Sequence, residues 1–576
     1  MSSLSSSTEK KVASKISDAV QEELDYVVSN KITQHQANIR NLDSLAKGTN
    51  EKNKLRLLQE AQANLEFSAD TGYASELRRD FSLLSLLGIG FGITNSWFGV
   101  SGSLVAGIMS GGPMVITYGI MILAVIATCI GITLSEMASA FPNASGQIYW
   151  TMRLAPPRWS RLLSYITGAL SWLGSLFTAA SVTMAFSTAV MGMYVLVHPD
   201  KTIQSWQVFI AYEITNLSLI VFNIWEKPLP LISTVALYTS LSSFIIIIIT
   251  VLAMHEGDFQ KPSFVFVEFQ NGTGWSSGAI AFIVGLINPN WSFSCLDAAT
   301  HIAEESLNPA VQVPQAILLT VIVGFLTAFP YCIAIFFCIK DLDAIFNSNT
   351  GVPIMDIFYQ STNSKAAALG LQMLVMLTAY TCNIAIHTWQ ARICWSFARD
   401  GGLPFSKFLA RVNSKTGTVI NAHLFSCFWN GIIGFIYLGS STAFNSVLVS
   451  CVTFLLLSYL VPTVLFVFKR NQIKPGPFFL KKYNIGLCCN LVLCAWAIIA
   501  FIFYNFPYTM PVSGGNMNYS SAVFGIIFVI CSFDWMLRGR KEYIGIQERE
   551  LIKNELTSAL THQLSNIEST MSPKPE

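Results

Sequence analysis

The sequence predicts an all-α membrane protein of about twelve transmembrane helices. Three observations predict it. Hydrophobic residues fill 52% of the 576 positions and charged residues only 12%, about half the share of an ordinary soluble chain. The apolar residues gather into runs long enough to cross about 30 Å of hydrocarbon. Two of those runs, the first and the sixth, are interrupted by polar and helix-weakening residues at matching places.

Taken in order, residues 1–80 are polar and charged, with no sustained apolar face before Leu55–Leu65. Such a composition does not bury enough apolar surface to order itself, so the segment reads as a partly disordered tail with a short amphipathic helix near the membrane. Lys10, Lys11 and Lys47 in it are open to modification. The opening MSSLSSSTEKKVASK lacks the apolar core of a signal peptide, which leaves insertion to the first span. The transmembrane domain occupies 81–540, with spans near 82–108, 113–140, 162–197, 205–225, 229–254, 279–300, 314–339, 366–390, 419–438, 443–468, 487–506 and 519–537. Residues 541–576 form a second polar tail.

Basic residues set the orientation. Arg153, Arg158 and Arg161 follow the second span, Arg399, Lys407, Arg411 and Lys415 the eighth, Lys469, Arg470, Lys474, Lys481 and Lys482 the tenth, and Arg538, Arg540 and Lys541 the twelfth. The alternate loops hold little beyond Lys201, Lys261, Lys340 and Lys365. Both tails are therefore expected in the cytoplasm. The loop Met254–Gly278, with the glycosylation sequon Asn271-Gly-Thr273, is expected outside.

The first span reads FSLLSLLGIGFGITNSWFGVSGSLVAG, with several glycines and the polar triplet Thr94-Asn95-Ser96 in its middle. The sixth reads INPNWSFSCLDAATHIAEE over Ile287–Glu305. Pro289 there removes a backbone donor and clashes with the Gly285 carbonyl, so the helix is expected to break at the proline. Broken backbone at membrane depth is tolerated only where it is buried in protein or lines a cavity. Two interrupted spans five apart point to an inverted-repeat transporter with spans 1–5 matching 6–10.

The residues around the breaks suggest the solute. Asn95, Ser96, Trp97 and Phe98 flank the first, and Trp291, Phe293 and Asp297 the second. Four rings look like a cage for a cation, and a quaternary ammonium, which has no N–H donors, is held best by π-faces. Asp297 or Glu213, the latter mid-span in IAYEITNLSLIVF, would balance the charge or carry a proton. Glu136, His301, Glu304 and Glu305 read as an inner gate, pairing with Arg153, Arg392 or Arg399. The plain alternatives are core packing for each ring, a local hydrogen bond for Glu213, and surface salt bridges for the gate. His387 reads as a satisfied interior histidine.

Other classes are disfavoured. A net charge of +2 implies no nucleic-acid partner. The 12 cysteines are scattered, many inside spans as at Cys129, Cys332 and Cys451, without metal spacing. No metal site, no cofactor and no disulfide framework is expected. No embedded nucleophile with a nearby base stands out, so no enzyme is expected either.

Three stretches, SEMASAFPNASGQIYW, INPNWSFSCLDAATHIAEE and WSFARDGGLP, resemble the signatures of the amino acid–polyamine–organocation superfamily. Within it the chain resembles the fungal amino acid/choline permease family over residues 75–540. GFGITNSWFG, GLINPNWSFSCLDAATH and HTWQARICWSFARD are most similar to its choline-carrying branch. The resemblance implies a LeuT-like fold and import across the plasma membrane by alternating access, coupled to protons. It implies choline or a related cationic amine as solute. Gamma-aminobutyrate, other amino acids, polyamines and thiamine stay open as alternatives, as does a nutrient-sensing receptor on the same scaffold.

Overall fold

A computed structural model describes residues 71–550, apart from 72, 74, 75, 226, 347, 482, 483 and 547. The tail features named above, Leu55–Leu65 and the lysines at 10, 11 and 47, lie outside the described residues, as does most of 541–576. Among the described residues the regular structure is helical; the one β feature is an isolated bridge between Phe81 and Ser306.

Eleven helices among the described residues are long and apolar enough to cross a membrane, and a shorter apolar helix, Gly278–Trp291, supplies the sixth element of the expected twelve. The first span is split into α1 (Leu83–Thr94) and α2 (Ser96–Gly102), followed by α3 (Leu104–Met109). Ser82 starts α1 through a reciprocal cap with Ser85. Pro113, with its φ preset for a first turn, opens α4 (Pro113–Ala140), and a short α5 (Gln147–Leu154) follows. Then come α6 (Pro157–Val197), α7 (Ser205–Leu219) and α8 (Leu229–Ala253). The sixth span comprises α9 (Gly278–Gly285), α10 (Ile287–Trp291) and, after a non-helical stretch, a 3₁₀ segment over Ala298–Glu305. The remaining elements are α11 (Pro309–Phe337), the short α12 (Pro353–Thr362), α13 (Lys365–Arg399), α14 (Ile420–Gly439), α15 (Ser441–Lys469), α16 (Ile485–Phe503) and α17 (Ser520–Asp534).

The helices pack in two groups. α11 lies along α4 and against α1 and α2, and α10 packs on α2 and α4. In the second group α6 is the axis, contacting α13, α15, α7 and α5, while α14 bridges α13 and α7. α8 sits between the groups, against α1 and α13. Apolar side chains that would be unfavourable in water line the outside of the last helix, where Phe528 is 73% exposed and Ile530 61%. A lipid environment accounts for them.

The two sides of the membrane are distinguished by contacts. Tyr73, before α1, and Arg549, after α17, both bind Asp400, so the described chain ends share one side, called here the tail side. The loop after α8 reaches the other end of the first span, where the Gly272 N–H donates to the Met109 carbonyl at 2.9 Å. That end is the loop side.

One expectation is corrected. Pro289 does not break the sixth span where it stands. Its missing N–H deprives the Gly285 carbonyl of an i+4 partner, and the helix is interrupted for one residue, Leu286, before α10 resumes around the proline. The unwinding comes later, over 292–297, where Cys295 adopts φ +62°. Ser292 and Ser294 donate back to the carbonyls of Asn288 and Trp291, offering the chain local partners in place of the helix ladder.

Candidate functional site

The first break is made by a single residue. Asn95 sits at φ 31°, ψ 64°, the left-handed region that Asn tolerates better than other non-glycine residues. Its Oδ1 accepts from Ser240 Oγ of α8 at 3.1 Å, and Ser240 accepts in turn from Trp97 Nε1 at 3.0 Å. Asn95 is therefore braced by α8 in the conformation that ends α1.

The two breaks meet. Thr94 Oγ1 donates to the Ser294 carbonyl at 3.0 Å, and Asn288 Nδ2 donates to the Val100 carbonyl at 3.1 Å and to Ser103 Oγ at 2.7 Å. Gly99 makes the approach feasible, since a Cβ there would lie 2.7 Å from the Ser292 Cα. Side chains of each broken span thus satisfy a backbone carbonyl of the other, as hydrocarbon requires.

Beside this junction lies a cavity of about 430 Å³, inside the range for small-molecule sites. Phe98 and Trp291 form its wall at the breaks, with ring centroids 6.1 Å apart, and Phe186 and Tyr508 add further rings. Ser101, Ser103, Ser181 and Gln372 supply the polar edges, and none of the described lining residues is charged. The lining continues through Val105, Met109 and Gly351–Ile354 toward the loop side.

The remaining rings face elsewhere. Trp97 is fully buried between Ser240, Phe244 and Tyr331. Phe293 is buried toward Gly324 of α11, as is the Ser96 hydroxyl. Neither Trp97 nor Phe293 lines the cavity. Glu213 is also set apart, its carboxylate lying over Gly431 and Gly434 of α14.

Asp297 is completely buried and heavily engaged. Its Oδ1 accepts from Tyr459 Oη at 2.6 Å; its Oδ2 accepts from Gln147 Nε2 at 2.8 Å and lies 3.0 Å from His301 Nε2. His301 Nδ1 lies 2.7 Å from the Ala144 carbonyl. Neither Gln147, within SEMASAFPNASGQIYW, nor Tyr459 stands out in the sequence. A mid-span tyrosine or glutamine carries no charge to draw notice.

On the tail side, charges close the protein. Glu305 and Arg392, both fully buried, pair at 2.9 Å, and Glu304 pairs with Arg399 at 2.9 Å. Glu136 receives Arg470 in a two-pronged contact at 2.5 and 2.7 Å, and Arg153 pairs instead with Glu550. Outside the spans, Tyr73 donates to Asp400 at 2.9 Å between the guanidiniums of Arg399 and Arg549, 4.1 and 4.0 Å from its ring. Burial and the neighbouring Asp400 carboxylate hold the Tyr73 phenol well above its ordinary range, so it stays a donor.

A separate polar cluster lies between α13 and α14. His387, His423 and Cys427 bring ligand-capable atoms within 4.8 Å of one another, fully buried, and these donor types could hold a soft or borderline cation. His387 Nδ1 is 3.4 Å from Cys427 Sγ. Only His423 and Cys427 are close in sequence, so spacing alone did not reveal the trio.

Comparison with known proteins decides the family. The amino acid permease family model matches residues 81–530, most of the chain. The chain belongs to the amino acid permease family. Among curated permease relatives, it is 50% identical over 474 residues to the choline transporter of Saccharomyces cerevisiae, covering 82% of this chain and 84% of that protein. It is 35% identical over 532 residues to the 7-keto 8-aminopelargonic acid transporter of the same yeast, covering 81% and 94%. To the swainsonine transporter of Arthroderma benhamiae it is 33% identical over 470 residues, covering 81% and 92%. This permease is thus a multi-pass membrane transporter and not an enzyme.

Proposed function

We propose that this permease imports choline, or a closely related cationic amine, across the plasma membrane. The cavity carries the reading: it is walled at the two breaks by Phe98 and Trp291, and its described lining residues offer no basic side chain to a substrate carboxylate. A trimethylammonium group presents methyl surface with a diffuse positive charge, which aromatic faces hold without hydrogen bonds. The hydroxyls at the polar edges suit choline's single alcohol. Likeness to a transporter named for choline supports the same solute.

Solute enters from the loop side, which the basic residues around the other side mark as external. Both tails are then cytoplasmic. Transport is by alternating access on a LeuT-like inverted repeat, the group containing α1, α4, α10 and α11 rocking against the group around α6. The ion pairs of Glu136, Glu304 and Glu305 part when the inner side opens. Protons drive accumulation.

The test is uptake of labelled choline in cells lacking their own choline carrier, with unlabelled choline, gamma-aminobutyrate, a polyamine and thiamine as competitors. Choline uptake blocked by choline alone, or by close amines, is the expected result. Uptake blocked by gamma-aminobutyrate, or no choline uptake by protein that reaches the surface, would overturn the assignment.

A further inference from the structure

The contact beneath the second break requires a proton. A carbonyl has no hydrogen to give, so His301 Nδ1 donates to Ala144 O at 2.7 Å. His301 Nε2 then lies 3.0 Å from Asp297 Oδ2. With Nε2 bare and Asp297 ionised, a lone pair would face a carboxylate oxygen between two fully buried side chains. One hydrogen between Nε2 and Oδ2 removes the conflict, whichever of the two atoms carries it.

We propose that Asp297 and His301 jointly hold the proton that couples to transport, and that its loss loosens the second broken helix from the scaffold. This rests on the reading of the permease as a proton-driven choline carrier. Asp297 spans the two helix groups. It belongs to the broken sixth span, while its partners Gln147 and Tyr459 belong to α5 and α15, which pack with α6. Ala144, which receives His301, lies just before α5.

The other charged and titratable groups nearby balance without this proton. Glu304, which accepts from the Ala144 N–H at 3.2 Å, is neutralised by Arg399, and Glu305 by Arg392. Tyr459 is a donor to Asp297, Cys295 sits in the break itself, and from α13 the nearest ring to His301 is Trp389, at 6.5 Å between centroids. Losing the shared proton therefore leaves one uncompensated negative charge among fully buried groups. The proton enters from the external solution and leaves to the opposite one when the inner side opens. No covalent bond is made or broken.

The experiment uses the full chain in vesicles, with wild type and His301→Gln compared in two assays. Gradient-free exchange of labelled for unlabelled choline reads the carrier. Accumulation driven by an imposed pH difference reads the coupling, and one proton per solute gives about tenfold concentration per pH unit. His301→Gln is expected to lose that accumulation while its exchange falls by less than about threefold. Accumulation that follows the pH difference as in wild type would overturn the proposal. Absence of exchange in wild type would instead overturn the choline reading. If His301→Gln does not insert, purified wild-type protein supplies a measurement free of variants. A pH indicator should report proton exchange when choline is added, and no such exchange would also overturn the proposal.

Discussion

Successive residues on a helix point about 100° apart, so Trp97 and Phe98 meet different neighbours. The indole of Trp97 donates to Ser240 and holds α2 against α8, whereas Phe98 faces Trp291 across the cavity wall. Trp97→Phe is therefore expected to cost about 0.5–1.5 kcal/mol of stability, read as a lowered melting temperature, with little change in the KM for choline. A raised KM with unchanged stability would place Trp97 in the site after all. The residue types were legible in the sequence, as was the buried carboxylate at Asp297. Which way each side chain turned was not. Two of the four caged rings face the cavity, and Asp297 is engaged by Gln147 and Tyr459, residues that become neighbours only through the fold.

At the scale of elements, the two broken helices were the strongest signal in the sequence, and they touch. Their exact form was less legible. Pro289 drew notice because a proline's effect on a helix is local and well defined. The real unwinding depends on Ser292 and Ser294 finding carbonyls and on the facing backbone at Gly99, a contact between residues nearly two hundred positions apart. Gly99→Ala tests that contact. Its Cβ would press on the Ser292 Cα at 2.7 Å, and overpacking is expected to cost about 1–3 kcal/mol of stability, read as a lowered melting temperature. Wild-type melting in this variant would show that the backbones have room to separate.

For the whole molecule, the cavity leads to one side while ion pairs seal the other. The sequence gathered basic residues on one side and named the acidic partners, and Glu304 and Glu305 do pair with Arg399 and Arg392. It did not reveal Arg470 as the partner of Glu136, because a loop after α15 returns to the end of α4 only in the assembled fold. Glu305→Gln takes one carboxylate from the fully buried Arg392 and is expected to lower stability by about 3–5 kcal/mol, measured by thermal unfolding in detergent. The paired exchange Glu305→Arg with Arg392→Glu should recover part of it. Unchanged melting in Glu305→Gln would mean that this pair does not hold the tail side closed.

The most direct test of the central claim is the KM for labelled choline in Phe98→Ala and Trp291→Ala, corrected for the amount of each at the cell surface. Each ring is worth about 0.5–2 kcal/mol to a bound ammonium, so each variant should raise KM by about 2- to 30-fold. A wild-type KM in both variants would contradict a choline site between the two broken helices.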